Sequence, residues 1–155
     1  MKLHSGSEQP SSNDYLKRFL SDVDGVVGLY VTDKDGVIVA NASTEEMPDQ
    51  AMSPYVVSAF INSSEQATKL GMGAMNWMVT RSQDVVICQF SFADNKTQIP
   101  IFLTVVGTQD CNLGSIIALE PLLRPLLARL APQAASRLQS EAVMSRNSDG
   151  QYFRV

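Results

Sequence analysis

Gly28-Leu29-Tyr30-Val31-Thr32-Asp33-Lys34-Asp35-Gly36-Val37-Ile38-Val39-Ala40-Asn41 is the stretch that decides the fold. Two β-prone runs, 29–32 and 37–41, flank Asp33-Lys34-Asp35-Gly36, a set of short polar residues and a glycine that favours reversal, so the stretch reads as an antiparallel hairpin. The same tetrapeptide has the look of a calcium loop. In that register the first ligand position would be Val31 and the closing bidentate position Ala42, and neither side chain can ligate. The hairpin turn is the reading kept.

Before the hairpin, Asn13 can cap a helix with apolar positions Leu16, Phe19, Leu20 and Val23 at i, i+3, i+4 and i+7, ended by Gly25 and Gly28. After it comes an acidic loop, 44–52. Ser53-Pro54 then opens a second helix, because serine caps and proline at the first helical position loses no needed hydrogen bond; Gly71 closes it after Leu70. Three β-rich segments follow, 77–80, 85–92 and 99–106, with Pro100 at the tolerated start of the last. The segment 113–138 is helical in composition, and Pro121 and Pro125 predict a kink or a restart at Pro121. Helix, hairpin, helix, three antiparallel strands and helix make an α+β fold, one sheet covered on both faces.

The length of 155 residues with 45% hydrophobic content suits one domain, 13–138, between polar tails at 1–12 and 139–155 that read as disordered. Net charge is −4 with 12 Lys plus Arg, which argues against a phosphate-neutralising surface and so against nucleic acid. The longest apolar stretch, 113–130, is broken by Glu120, Arg124 and Arg129 and cannot span a bilayer. The amino terminus lacks a secretory pattern, and Lys2 rules out myristoylation. Two cysteines, Cys88 and Cys111, are too few for a disulfide framework and too far apart for a zinc or redox pair, which fits a reducing compartment.

Catalytic, cofactor and metal readings all fail on residue types. The single histidine, His4, lies in the polar tail, so no nucleophile has a base held beside it. Gly71-Met72-Gly73 and the glycines at 107 and 114 match neither a dinucleotide fingerprint nor a phosphate loop. Cys88 reads as a small buried hydrophobe; Cys111, at a strand-to-helix junction, is a candidate for a helix-lowered thiol.

Apolar surface is what the sequence has in excess. On the second helix Val56, Val57, Phe60 and Ile61 continue through Ser64 to Ala67, while Tyr55 and Ala59 point elsewhere, an arc wider than one stripe. One side can meet the sheet and another a partner. Trp77-Met78-Val79, if it lies at a sheet edge, is an exposed pairing template; a central strand would make it ordinary core.

In order along the chain, Leu16-Lys17-Arg18-Phe19-Leu20, Gly28-Leu29, Thr32-Asp33-Lys34-Asp35-Gly36-Val37, Gln66-Ala67-Thr68-Lys69-Leu70-Gly71, Ile99-Pro100-Ile101 and Leu119-Glu120 resemble the MAP kinase scaffold subunits of Ragulator complexes, in the roadblock/longin-like superfamily. The resemblance implies an α-β-β-α-β-β-β-α order, with a five-stranded antiparallel sheet, the first and third helices on one face and the second on the other. It also implies a heterodimer with a second roadblock-type subunit, formed by joining third strands and packing second helices. Carried onto this chain, the partner interface is Val56, Phe60, Ile61, Ser64, Ala67, Thr68, Trp77, Met78 and Val79. Charging Phe60 or Trp77 would then break pairing and leave the isolated chain folded.

By the same resemblance the chain is a non-enzymatic adaptor, without cofactor, that works with other Ragulator subunits. The complex sits on late endosomes and lysosomes through a separate lipidated subunit, anchors Rag GTPases for TOR amino-acid signalling, and scaffolds MEK and ERK kinases. Two other readings stay open from the residues: a small-molecule sensor of profilin-like or PAS-like shape with its ligand between sheet and helix, and a weak enzyme using Cys111.

Overall fold

The computed structural model describes residues 11–151, so His4, most of the amino-terminal tail and the final Tyr152-Phe153-Arg154-Val155 lie outside the described residues. Helix α1 spans Ser12–Asp22, strand β1 Val26–Thr32, β2 Ile38–Ser43, α2 Pro54–Lys69, β3 Trp77–Arg81, β4 Val86–Ala93, β5 Pro100–Gly107 and α3 Leu113–Gln151. All four strand pairings are antiparallel, in the order β2-β1-β5-β4-β3. This is the expected roadblock-like α+β fold.

Alternation along the strands divides the core. Leu29, Val31, Cys88, Phe90, Ile101, Leu103 and Val105 face Leu16 and Phe19 of α1 and Leu123, Leu127 and Leu130 of α3. The other face carries Phe102 under Val57 and Phe60 of α2, and Tyr30 and Val106 under Ala51. Ala51 belongs to a short 3₁₀ turn, Asp49–Met52, inside the acidic loop, and its carbonyl accepts the Tyr30 hydroxyl proton.

The hairpin turn is organised by Asp33. Its backbone N–H donates to the Val37 carbonyl at 3.1 Å and its Oδ1 accepts from the backbone N–H groups of Asp35 and Val37 at 2.9 and 3.0 Å. Gly36 has φ +80°, and a Cβ there would stand 2.8 Å from Cα of Pro54, so the turn also seats the first residue of α2.

Four expectations are corrected. Ser11 caps α1, accepting from the Asp14 N–H at 3.2 Å, and Ser12 is already helical; Asn13 is occupied elsewhere, its Oδ1 accepting the Asn41 N–H at 2.9 Å. Gly28 does not end α1. It lies inside β1, where a Cβ would stand 2.6 Å from Sδ of Met47, so the missing side chain makes room for the returning loop. α3 does not restart at Pro121: it runs unbroken through Pro121, Pro125 and Pro132, which all lie on its exposed side, where carbonyls displaced by a proline ring can turn to water. Nor does a tail begin at 139: α3 continues to Gln151, because Gln139, Glu141, Ala142 and Met144 favour helix, no proline intervenes, and Arg137 lies 3.8 Å from Glu141 one turn on.

Candidate docking edge

α2 is fixed at both ends by its own sequence. Ser53 Oγ accepts the Tyr55 N–H at 3.3 Å. At the other end Gly71, at φ +72°, lets its N–H reach the Thr68 carbonyl at 3.0 Å and the Met72 N–H reach Ala67 at 3.1 Å, a Schellman closure. Between these ends only Val57 and Phe60 are fully buried. The helix rests on the sheet by a narrow keel and leaves both flanks open.

One flank forms a trough of about 460 Å³ with Tyr55, Val56 and Ala59 on one wall and Thr80, Ile87 and Gln89 on the other. Gln89 is buried and its Nε2 donates to the Val56 carbonyl at 2.8 Å, tying the helix to β4. The opposite flank forms a trough of about 380 Å³ that includes Ile61, Ser64, Pro100 and Phe102.

β3 is a terminal strand of the sheet, paired only with β4. The two edges are treated differently. On β2 the Asn41 N–H is plugged by Asn13 of α1, whereas on β3 no described residue caps the outer backbone groups. The single charge on β3, the kind of residue that discourages edge pairing, is Arg81. It is turned onto Gln109, with Nε 3.1 Å from Oε1 and Nη2 2.7 Å from the carbonyl. Gln109 in turn donates to the carbonyls of Ser82 and Gln83, which holds the β3–β4 turn.

The residues expected at a partner surface separate into groups. Val56 lines the trough beside β3; Ile61 and Ser64 line the opposite one; Ala67 is half-buried; Thr68 is exposed with its hydroxyl on the Ser64 carbonyl at 3.1 Å. Phe60 differs from the others: it is 1% exposed, edge-on to Phe102 with ring centroids 5.7 Å apart, at the floor of the opposite trough, where little of the ring is open to a partner. Trp77 and Phe60 also do not share a patch. Trp77 and Val79 sit opposite Phe90 and Cys88, on the α1/α3 face, while Met78 and Thr80 sit on the α2 face. Trp77 is 46% exposed there, beside Ile117, Glu120 and Pro121.

Tyr55, 83% exposed, and Ala59 one turn on lie off the buried stripe, as their i, i+4 spacing indicated, though the interface carried over from the resemblance left them out.

No acid–base or nucleophilic centre accompanies this surface. Burial pushes the Cys88 thiol up to about 12, helped by nearby Cys111. Burial also raises the Cys111 thiol, against the opposing pull of Arg81. The Cys111 thiol is thus shifted in the opposite direction from the one a helix start would give it. Iodoacetamide should modify the native chain slowly at neutral pH, at a rate that climbs only above the ordinary thiol range; labelling as fast as in the unfolded chain would contradict this geometry. Among the described residues no three of His, Cys, Asp and Glu gather to hold a metal ion, and no helix is long and apolar enough to cross a membrane.

The sequence pattern of the family described as mitogen-activated protein kinase kinase 1 interacting matches residues 11–134. The chain belongs to that family. Relatives of this chain include the Ragulator complex protein LAMTOR3 homolog of Drosophila melanogaster, 33% identical over 68% of this chain and 81% of that protein. The Ragulator complex protein LAMTOR3 of Tetraodon nigroviridis is 30% identical over 75% and 89%. Among solved structures, MglB with tetrameric arrangement superposes with TM-score 0.64 at 16% identity, covering 81% of this chain and 94% of that one. The Roadblock/LC7 domain from Streptomyces avermitilis superposes with TM-score 0.55 at 13% identity, covering 76% and 98%. These two share the fold. The kinase-kinase-interacting family is a non-enzymatic scaffold family, and this chain is a member of it.

Proposed function

We propose that the chain is an adaptor subunit of a Ragulator-type complex that heterodimerises with a second roadblock-type subunit through β3 and the Tyr55 flank of α2. The observation that carries this is the edge at β3, which is bare beside an apolar trough, while on β2 the Asn41 N–H is taken by Asn13 of α1. Strand addition supplies main-chain hydrogen bonds and register; a large side chain buried in the trough supplies affinity. Val56, Met78 and Val79 stay in the proposed interface, with Tyr55, Ala59 and Thr80 added. Ile61, Ser64, Ala67 and Thr68 belong to it where the partner's helix wraps over α2.

The names of the relatives support the wider role. In it the complex reaches the cytosolic face of late endosomes and lysosomes through a lipidated partner, anchors Rag GTPases for TOR signalling, and brings MEK and ERK together. Two variants test the pairing. Tyr55→Asp, at an exposed position, and Val79→Pro, whose lost N–H faces away from β4, should keep the isolated chain folded and weaken binding to a roadblock-type subunit by about a hundredfold, read by sedimentation of the mixture. Wild-type affinity in both variants would remove β3 and its flank from the interface.

A further inference from the structure

Ser53 is the one serine or threonine of the chain followed directly by proline. Proline in that place fixes the backbone and removes an N–H, which selects kinases whose substrate cleft takes a proline after the acceptor hydroxyl. The local shape suits such a cleft. Ser53 is partly exposed and extended, at φ −63° and ψ 142°, in the link between the 3₁₀ turn Asp49–Met52 and α2. Its Oγ accepts the Tyr55 N–H, and no described residue takes its proton. We propose that Ser53 is a phosphorylation site for a proline-directed kinase and that phosphate there closes the trough beside β3 to a partner, an inference that rests on the pairing reading above. In the transfer Oγ bonds to the γ-phosphorus of a nucleoside triphosphate and the bond from that phosphorus to the bridging oxygen breaks. The hydroxyl proton passes to the base of the kinase, and the nucleoside diphosphate leaves.

A phosphate at this position acts in two opposite directions. On the isolated chain it is stabilising: the first turn of α2 has no acidic residue, so the partial positive charge of the helix start is uncompensated, and an anion on the cap lies against it. On pairing it is unfavourable. Ser53 lines the same trough as Tyr55, Val56, Ala59 and Ile87, and no lysine or arginine is among the lining residues. An apolar side chain of a partner seated there would strip water from a dianion that this chain gives no cation to meet. The unmodified hydroxyl, neutral and bonded to the Tyr55 N–H, carries no such penalty.

Incubation of the full-length chain with an active mitogen-activated protein kinase and Mg·ATP tests this. Mass spectrometry should place phosphate on Ser53, and Ser53→Ala should take none. The phosphorylated chain should unfold about 1–4 °C higher in a thermal scan. In the sedimentation assay above it should bind the roadblock-type subunit at least about tenfold more weakly than the unmodified chain. Ser53→Asp should move both readings the same way as phosphate. Ser53→Asn, which caps about equally well without charge, should bind as wild type. No phosphate on Ser53, undiminished binding by the phosphorylated chain, or Ser53→Asn as weak as Ser53→Asp overturns the inference and leaves the adaptor reading standing. A lowered unfolding midpoint in the phosphorylated chain would trace weaker binding to damage in α2 and overturn it as well. An unmodified chain that binds no roadblock-type subunit overturns the pairing reading, and the closing of the trough with it.

Discussion

Phe60→Ala should remove about 3–5 kcal/mol of folding stability, a large share of the roughly 5–15 kcal/mol a domain possesses, and Phe60→Asp should leave no stable native state. The ring is 1% exposed and meets Phe102 edge-on, with Val57 beside it and Met75 and Met78 closing the cluster. Truncation would empty space under the only part of α2 that is fully buried, and the remaining contacts of the helix are too few to collapse into it. Urea denaturation of the isolated chain reads the effect as a lowered midpoint at unchanged slope. Phe60→Leu, which keeps most of the volume, should lose much less. A Phe60→Asp chain that folds normally and fails only to pair would place the ring at the partner surface after all. Tyr55→Asp is the matched control, because that side chain touches mainly water in the isolated chain.

The difference between Phe60 and Tyr55 shows where the sequence stops informing. Local signals were sufficient for α2: Ser53-Pro54 and Lys69-Leu70-Gly71 fixed its ends to within a residue. The hairpin likewise followed from Asp33 to Gly36. Its apolar arc, however, was wide enough to lie on the sheet in more than one rotation, and only the opposing residues, Phe102 below and Gln89 at the side, select the one in which Phe60 points down. The alternation of β3 similarly told that Trp77 and Met78 face apart, but pairing with Phe90 and Gln89 decides which of them faces α2. For α1, Ser11, Ser12 and Asn13 are all competent caps, and a hydrogen bond from β2 takes Asn13 out of contention. Pro121 and Pro125 do not make α3 restart for a related reason: proline is disruptive where its ring and missing donor face packed neighbours, and each of these faces solvent.

The contact least visible to sequence is the pair of Asp33 and Arg137, 104 residues apart, with Arg137 just beyond the span matched to the family. Arg137 Nη2 donates to Asp33 Oδ2 at 2.6 Å, and the carboxylate is completely buried while the guanidinium is 39% exposed. That asymmetry predicts unequal costs. Arg137→Ala strands a buried carboxylate whose remaining partners are two backbone N–H groups, and should cost about 2–4 kcal/mol. Asp33→Asn keeps an acceptor for the turn, and the half-solvated arginine left behind can turn toward Glu141, so the loss should be smaller. The double variant should lose less than the sum of the two, because the unpaired buried charge is absent from it. Hydrogen exchange should locate the damage. In Arg137→Ala the amides of 136–151 and of the 33–37 turn should exchange faster, since the helix end is tied to the hairpin through this pair, while β4 and β5 exchange only with global unfolding. Additive losses, or an Arg137→Ala chain as stable as wild type, would mean that α3 holds its last turns against the domain without the help of Asp33.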